Sequence, residues 1–311
     1  MIKLSVVVNT KNSEKYLKQT LKSVQAIADE IVVVDMASTD KTLEIAKKFT
    51  DNISQYPHPE LGFVEPAREF AFAQAKGEWI FLLDSDEDIK PELAKLIRQV
   101  VDNEETTVPI AEAYFIARSN IIFDQAMTDT GWYPDYQLRL WRQGAIRWLP
   151  TIHSVPKIIG KAEYFPCEDR NLAIVHHNYQ TLEQFLERSN RYSSVQAENE
   201  FSLGKKTDVT PEILWQSFFD EFWRRGFADK GMLEGNHGLI LSFLQAQNEM
   251  ITKGKVWQAQ KFPYRPLTLV RLKKLRHRFQ QEAAYWWADL LVGQSKGLSK
   301  FYWQIRRKLK V

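Results

Sequence analysis

Glu78-Trp79-Ile80-Phe81-Leu82-Leu83-Asp84-Ser85-Asp86-Glu87-Asp88 decides the fold: an apolar run ends in four carboxylates within five residues. A run this short, preceded by Gly77, reads as a buried strand rather than a helix. In open α/β sheets ligands bind beyond the carboxyl ends of the strands, which is where these acids fall. Carboxylates packed so tightly repel one another unless a cation or water separates them. Oxygen-only sites suit Mg²⁺ or Mn²⁺, held by one or two carboxylates together with substrate phosphates. The alternative is a solvated acidic turn in front of a helix from Pro91 to Val101, with Asp88 near its N-terminus.

Upstream, Leu4 to Val8 is a β-branched run suited to a parallel strand. Asn9-Thr10-Lys11-Asn12-Ser13 then forms a polar loop, and Tyr16, Leu17, Leu21 and Val24 recur at helical spacing. A second strand, Glu30 to Asp35, again ends in a carboxylate. Ser38-Thr39-Asp40 can cap a helix over Lys41 to Phe49. This alternation predicts βαβ units and a parallel sheet. Asp51 to Pro66 reads as a loop or short edge strand, and Arg68 to Ala75 as a helix stopped by Gly77. Downstream, Ala113 to Ala117 and Ala173 to His177 are strand candidates. From Thr181 the pattern turns helical, with Leu182, Phe185, Leu186 and Tyr192 on one face.

The chain has 311 residues, with 44% hydrophobic and 26% charged side chains, ordinary values for a globular protein. Its net charge of +3 hides an asymmetry. Lys255 to Val311 holds 14 of the 42 Lys/Arg but two of the 39 acids, so this end carries +12 and the remainder −9. The lone Cys167 excludes an intrachain disulfide and fits a reducing compartment. No run approaches the roughly 18 apolar residues of a membrane span, and the start lacks a signal-peptide pattern. The expected location is cytoplasmic, peripheral at the inner face of the cytoplasmic membrane.

In order, the Leu4 to Asn12 segment, Ile31 to Asp35 followed by Ser38 to Thr42, Ala73 to Glu87, and Gly131-Trp132-Tyr133-Pro134-Asp135-Tyr136-Gln137-Leu138-Arg139-Leu140-Trp141 resemble a family 2 glycosyltransferase of the GT-A fold. The likeness runs from about Met1 to about Trp257. It is strongest toward the branch whose best-known members glucosylate the inner core of lipopolysaccharide. The resemblance implies an α/β fold, a Rossmann-like and mostly parallel sheet flanked by helices, with a helical C-terminal appendage. It implies an inverting transfer from a nucleotide-diphosphate sugar, a uridine one first, to a glycan or lipid-linked acceptor. Thr10, Asn12, Asp35, Arg68 and Asp84 would bind the donor. Asp86 would hold a divalent metal, Mn²⁺ or Mg²⁺, and Asp135 would be the base that takes the acceptor proton. Trp132, Tyr133, Arg139 and His153 would meet the acceptor. Against these stand plainer readings: Asp35 as a helix cap, Arg68 in a surface ion pair, Asp135 paired with Arg139 or Arg142, aromatic rings in the core.

Two positions depart from the family pattern. Ser154 follows His153 where relatives have Glu, which leaves Asp135 alone or brings in Glu168 or Asp169. Glu69 stands where an Asn is usual.

We expect residues 1–180 to form the catalytic domain, 181–262 a helical extension and 263–311 a basic, aromatic-rich tail. Bulky aromatics among dense positive charge in that tail suit an interfacial helix on an anionic membrane. Packing on the acidic body and a nucleic-acid patch are the alternatives, the last being the weakest. Two other functions compete with transfer. A sugar nucleotidyltransferase would carry a glycine-rich phosphate loop near the N-terminus, and Asn9 to Ser13 has no glycine. A silent membrane scaffold would have no need of the intact Asp84-Ser85-Asp86.

Overall fold

The computed structural model describes residues 2–58, 64–147, 156–202 and 208–310. The chain divides into one compact unit of residues 1–121 and 133–178 and a second of 122–132 and 179–311. In the first, β1 (Leu4–Thr10), β2 (Glu30–Asp35), β3 (Ile53–Gln55) and β4 (Trp79–Asp84) are parallel neighbours in the order β3-β2-β1-β4. The helices α1 (Leu17–Val24), α2 (Thr42–Ala46), α3 (Glu65–Phe72) and α4 (Pro91–Val101) alternate with them. The sheet continues from β4 through β7 (Asp135–Arg142), β6 (Ala113–Ile122) and β8 (Ile174–Tyr179) to the short β5 (Glu87–Asp88). β7 is antiparallel to β4, which makes the sheet mixed at this side. This is the α/β architecture expected.

Both faces of the parallel half are dry, and strand alternation sorts its side chains. Val6, Val8, Phe81 and Leu83 pack beneath Leu17, Leu21 and Leu93. Val7, Val32, Ile80 and Leu82 face Ala67 and Ala71 on the other side. Entry to β4 is tight: a Cβ on Gly77 would lie 2.6 Å from the Ser5 backbone nitrogen. Parallel registry then sets Thr10 beside Asp35 and Asn9 beside Asp84, so the polar strand ends lie side by side.

The second unit is helical: α5 (Leu182–Ser202), α6 (Pro211–Trp223), α7 (Gly235–Ala259), α8 (Leu269–Gln294) and α9 (Gly297–Leu309). Residues 122–132 join it through Glu234, whose carboxylate accepts from Thr128 N–H (2.6 Å), Asp129 N–H (2.9 Å) and the Thr130 hydroxyl. α8 packs on α6 within this unit, its Phe279 ring 4.9 Å from Phe219 and 5.6 Å from Trp223. Arg278–Asp220 (2.9 Å) and Arg271–Glu212 (3.4 Å) ion pairs add to it. No helix among the described residues is long and apolar enough to cross a membrane.

Candidate active site

The strand ends bring the first polar cluster together. Asp35 is fully buried; its Oδ2 accepts from Ser38 N–H at 2.9 Å, while Oδ1 has no hydrogen-bond partner among the described residues. The Thr10 hydroxyl beside it is buried and equally unpaired. Buried polar atoms without partners cost about 1–3 kcal/mol each, so two at adjacent strand ends are an unusual expense. Asn12 lies in the left-handed region (φ 49°), and its Oδ1 accepts from Thr39 N–H at 2.8 Å. It ties the loop after β1 to the loop after β2.

Next to this edge, Asp84 is gripped from both sides. Arg68 Nη2 donates to Oδ1 at 2.7 Å and Arg139 Nη2 to Oδ2 at 2.8 Å. Burial raises the Asp84 carboxyl, but Arg139 and Arg68 outweigh it and hold it well below the usual range. Arg139 also donates to Glu87 Oε1 at 2.6 Å, and Glu87 Oε2 accepts from the Asp84 N–H at 2.9 Å. Burial, reinforced by Asp84, pushes Glu87 up to about 7 against the pull of Arg139.

From Glu87 the network crosses to Asp135. Arg118 lies 3.5 Å from Glu87 Oε1 and donates through Nε (2.8 Å) and Nη2 (2.5 Å) to Asp135 Oδ2. Asn120 (3.2 Å) and Gln137 (2.8 Å) donate to the same carboxylate. Burial raises Asp135, yet Arg118 and these amides leave it below its ordinary value. His176 shares a hydrogen bond with Asn120 Oδ1 at 2.6 Å and stands 3.8 Å from Asp86 Oδ1. Burial, with Arg118 adding to it, drives His176 well below the ordinary imidazole value, so the ring is neutral.

Several expectations change. Asp135 pairs with Arg118, its registry partner across β6, and not with Arg139 or Arg142. Arg139 is taken by Asp84 and Glu87, and Arg142, seven residues along the strand, pairs with Glu78 instead. Arg139, expected at the acceptor, is only 3% exposed and braces Asp84 and Glu87 from below. Tyr133 donates its hydroxyl to the Cys167 carbonyl and lies under Arg170, 4.2 Å from its ring centroid. Trp132 belongs to the second unit, stacked under Arg225 at 5.4 Å. His153 lies outside the described residues. Arg118, Asn120 and His176 were missed. Their signal was present: β8 buries Ile174, His176 and Asn178 at alternate positions, an inward polar face on a strand.

No group of three or more His, Cys, Asp or Glu among the described residues could by itself hold a metal ion. Asp84 is committed to two arginines, which leaves Asp86, beside the neutral His176. A Mg²⁺-like ion fits here only if most of its ligands come from a bound diphosphate and water, the usual arrangement for such ions.

Residues 5–154 match the Glycosyl transferase family 2 profile. An uncharacterized glycosyltransferase of Rickettsia bellii is 28% identical over 72% of this chain and 78% of its own length. The lipopolysaccharide core biosynthesis glycosyltransferase LpsC of Rhizobium meliloti is 26% identical over 85% of this chain and 95% of its own. The crystal structure of S. aureus TarS 1-349 in complex with UDP aligns over 86% of this chain and 94% of that one, at 18% identity and a TM-score of 0.44.

Proposed function

We propose that the chain, whose residues 5–154 match the Glycosyl transferase family 2 profile, is a transferase of that family and moves a sugar, with inversion, from a nucleotide-diphosphate donor to a glycan or lipid-linked acceptor of the cell envelope. The observation that carries the donor side is the pair of buried oxygens, the Asp35 Oδ1 carboxylate oxygen and the Thr10 hydroxyl, that have no partner among the described residues. A carboxylate oxygen in that setting calls for an N–H or O–H from the ligand. A uracil imide or a ribose hydroxyl supplies one, and this makes UDP the first nucleotide to test. Similarity to LpsC over nearly its whole length favours a lipopolysaccharide-type acceptor.

In this reading Arg68, already committed through one amino group to Asp84, lies beside the diphosphate. Asp86 contributes the protein's carboxylate to Mn²⁺ or Mg²⁺, which when bound would neutralise charge on the departing diphosphate. Asp135 accepts the proton of the acceptor hydroxyl as that oxygen bonds to the anomeric carbon and the bond to the diphosphate breaks. Arg118 tunes Asp135, and Asn120 and Gln137 orient it.

The test is calorimetry of UDP and GDP with and without Mn²⁺, on the wild type and Asp86→Ala. UDP binding that needs the metal and disappears in the variant supports the proposal. Absence of binding by either nucleotide with Mn²⁺ present overturns it in favour of a silent scaffold.

A further inference from the structure

The helix α9 presents an apolar stripe that nothing in its own unit covers. Leu298, Phe301, Tyr302, Ile305 and Leu309 recur at three- and four-residue intervals and are 43–89% exposed. At about 100° per residue they fall within an arc of about 100°. Arg306 and Lys308 flank the stripe on opposite sides, roughly 80° from its centre by the same geometry. The other face of α9 is turned to α8, where Arg307 donates to Asp289 at 2.6 Å. Thus the ion pair that seats the helix and the apolar stripe lie on opposite faces.

We infer that α9 lies flat on an anionic lipid surface, with this stripe in the acyl boundary and Arg306 and Lys308 reaching the headgroups. Charge selects that occupant. α9 holds four Lys/Arg and no acid, so a second copy of the chain would set like charges together. Nucleic acid would use the cations but leave the aliphatic residues in water. A bilayer with anionic headgroups satisfies both sets. At 13 residues the helix is about 20 Å long, too short to span and long enough to lie in the interface.

The full chain is floated with vesicles of phosphatidylcholine alone and of phosphatidylcholine with phosphatidylglycerol, in the absence of donor and acceptor. We expect it to partition onto the phosphatidylglycerol vesicles, less so as salt rises, and to ignore phosphatidylcholine alone. Leu298→Asp with Phe301→Asp should lower that partitioning at least tenfold, since two large apolar side chains leave the lipid. Both positions are exposed, so the thermal melt should not move. Equal partitioning of the double variant overturns the inference, as does failure of the wild type to bind the anionic vesicles. A dimer that the double variant dissolves, without vesicle binding, also overturns it. Because no donor is present, failure here leaves the transferase reading standing.

Discussion

Arg139 and Glu87 meet at 2.6 Å in a place where water reaches neither, Glu87 being fully buried and Arg139 3% exposed. The same guanidinium holds Asp84, the carboxylate that ends the decisive apolar run. This buried cation, helped by Arg68 on Asp84 and Arg118 beside Glu87, therefore lets two acids sit together beneath the proposed diphosphate site.

Removing that cation should be costly. Arg139→Met strips Glu87 of its closest cation and Asp84 of one of its two arginines, leaving only Arg118 at 3.5 Å and Arg68, and we expect a loss of about 3–5 kcal/mol in chemical denaturation. Arg139→Lys should recover only part of it, because one ammonium cannot fork between two acids. A loss below about 1 kcal/mol for the Met variant would show that the pair is not the strut described.

Glu87 should make stability depend on pH near neutrality. Its folded value is raised to about 7, above its unfolded one. Its contribution is therefore complete below the unfolded value of about 4.5 and is lost as pH rises through about 7, on the order of 3 kcal/mol in all. Asp84 acts in the opposite sense: its lowered carboxyl stabilises above the unfolded value and fails only in stronger acid. Denaturation midpoints of wild type and Glu87→Gln from pH 5 to 8 separate the two. Because Gln mimics the protonated acid, the wild type should lose stability relative to the variant from pH 5 to about 7 and level off above it, and a flat difference refutes the assignment.

Thr10→Val offers a change in which stability and binding move in opposite directions. The hydroxyl is buried and unpaired among the described residues, so its removal should stabilise the free protein by about 1 kcal/mol. If a nucleotide supplies the missing partner, UDP affinity should fall about five- to tenfold in titration calorimetry. A variant that loses stability while keeping its affinity would remove Thr10 from the donor site.

Much of the catalytic unit could be read in advance, and the physics explains which parts. The strand Glu30–Asp35 and the helix Pro91–Val101 match their expected bounds because apolar period and breaker residues agree there. β6 was read as ending at Ala117, yet it runs to Ile122. The polar run Arg118-Ser119-Asn120 looks like a loop until one sees that two of its members turn into a polar site. The donor-side acids were legible because they are consecutive in the chain. The Arg118 bridge from Glu87 to Asp135 was not, because it joins three separate strands and only registry brings them together. In the tail, the aromatics drew the eye, while the stripe on α9 depends equally on Leu298, Ile305 and Leu309.

That Arg118 bridge also governs the chemistry proposed for Asp135. A base must be ionised, and Arg118 favours the ionised form while weakening it as a proton acceptor. Asp135→Asn should therefore lower kcat by about 10²–10⁴ with little change in donor affinity. Arg118→Gln is the sharper test. Without the guanidinium, burial should raise the Asp135 carboxyl, so the acid limb of the kcat profile should move to higher pH. Activity should then be lost first at mildly acidic pH, and the remaining activity near pH 8 should respond less. An Asp135 that serves only to anchor Arg118 predicts a uniform loss across the profile with no displaced limb. A displaced limb in Arg118→Gln, together with a collapsed kcat in Asp135→Asn, assigns the proton transfer to Asp135; an unmoved limb sends the search to Glu168 and Asp169.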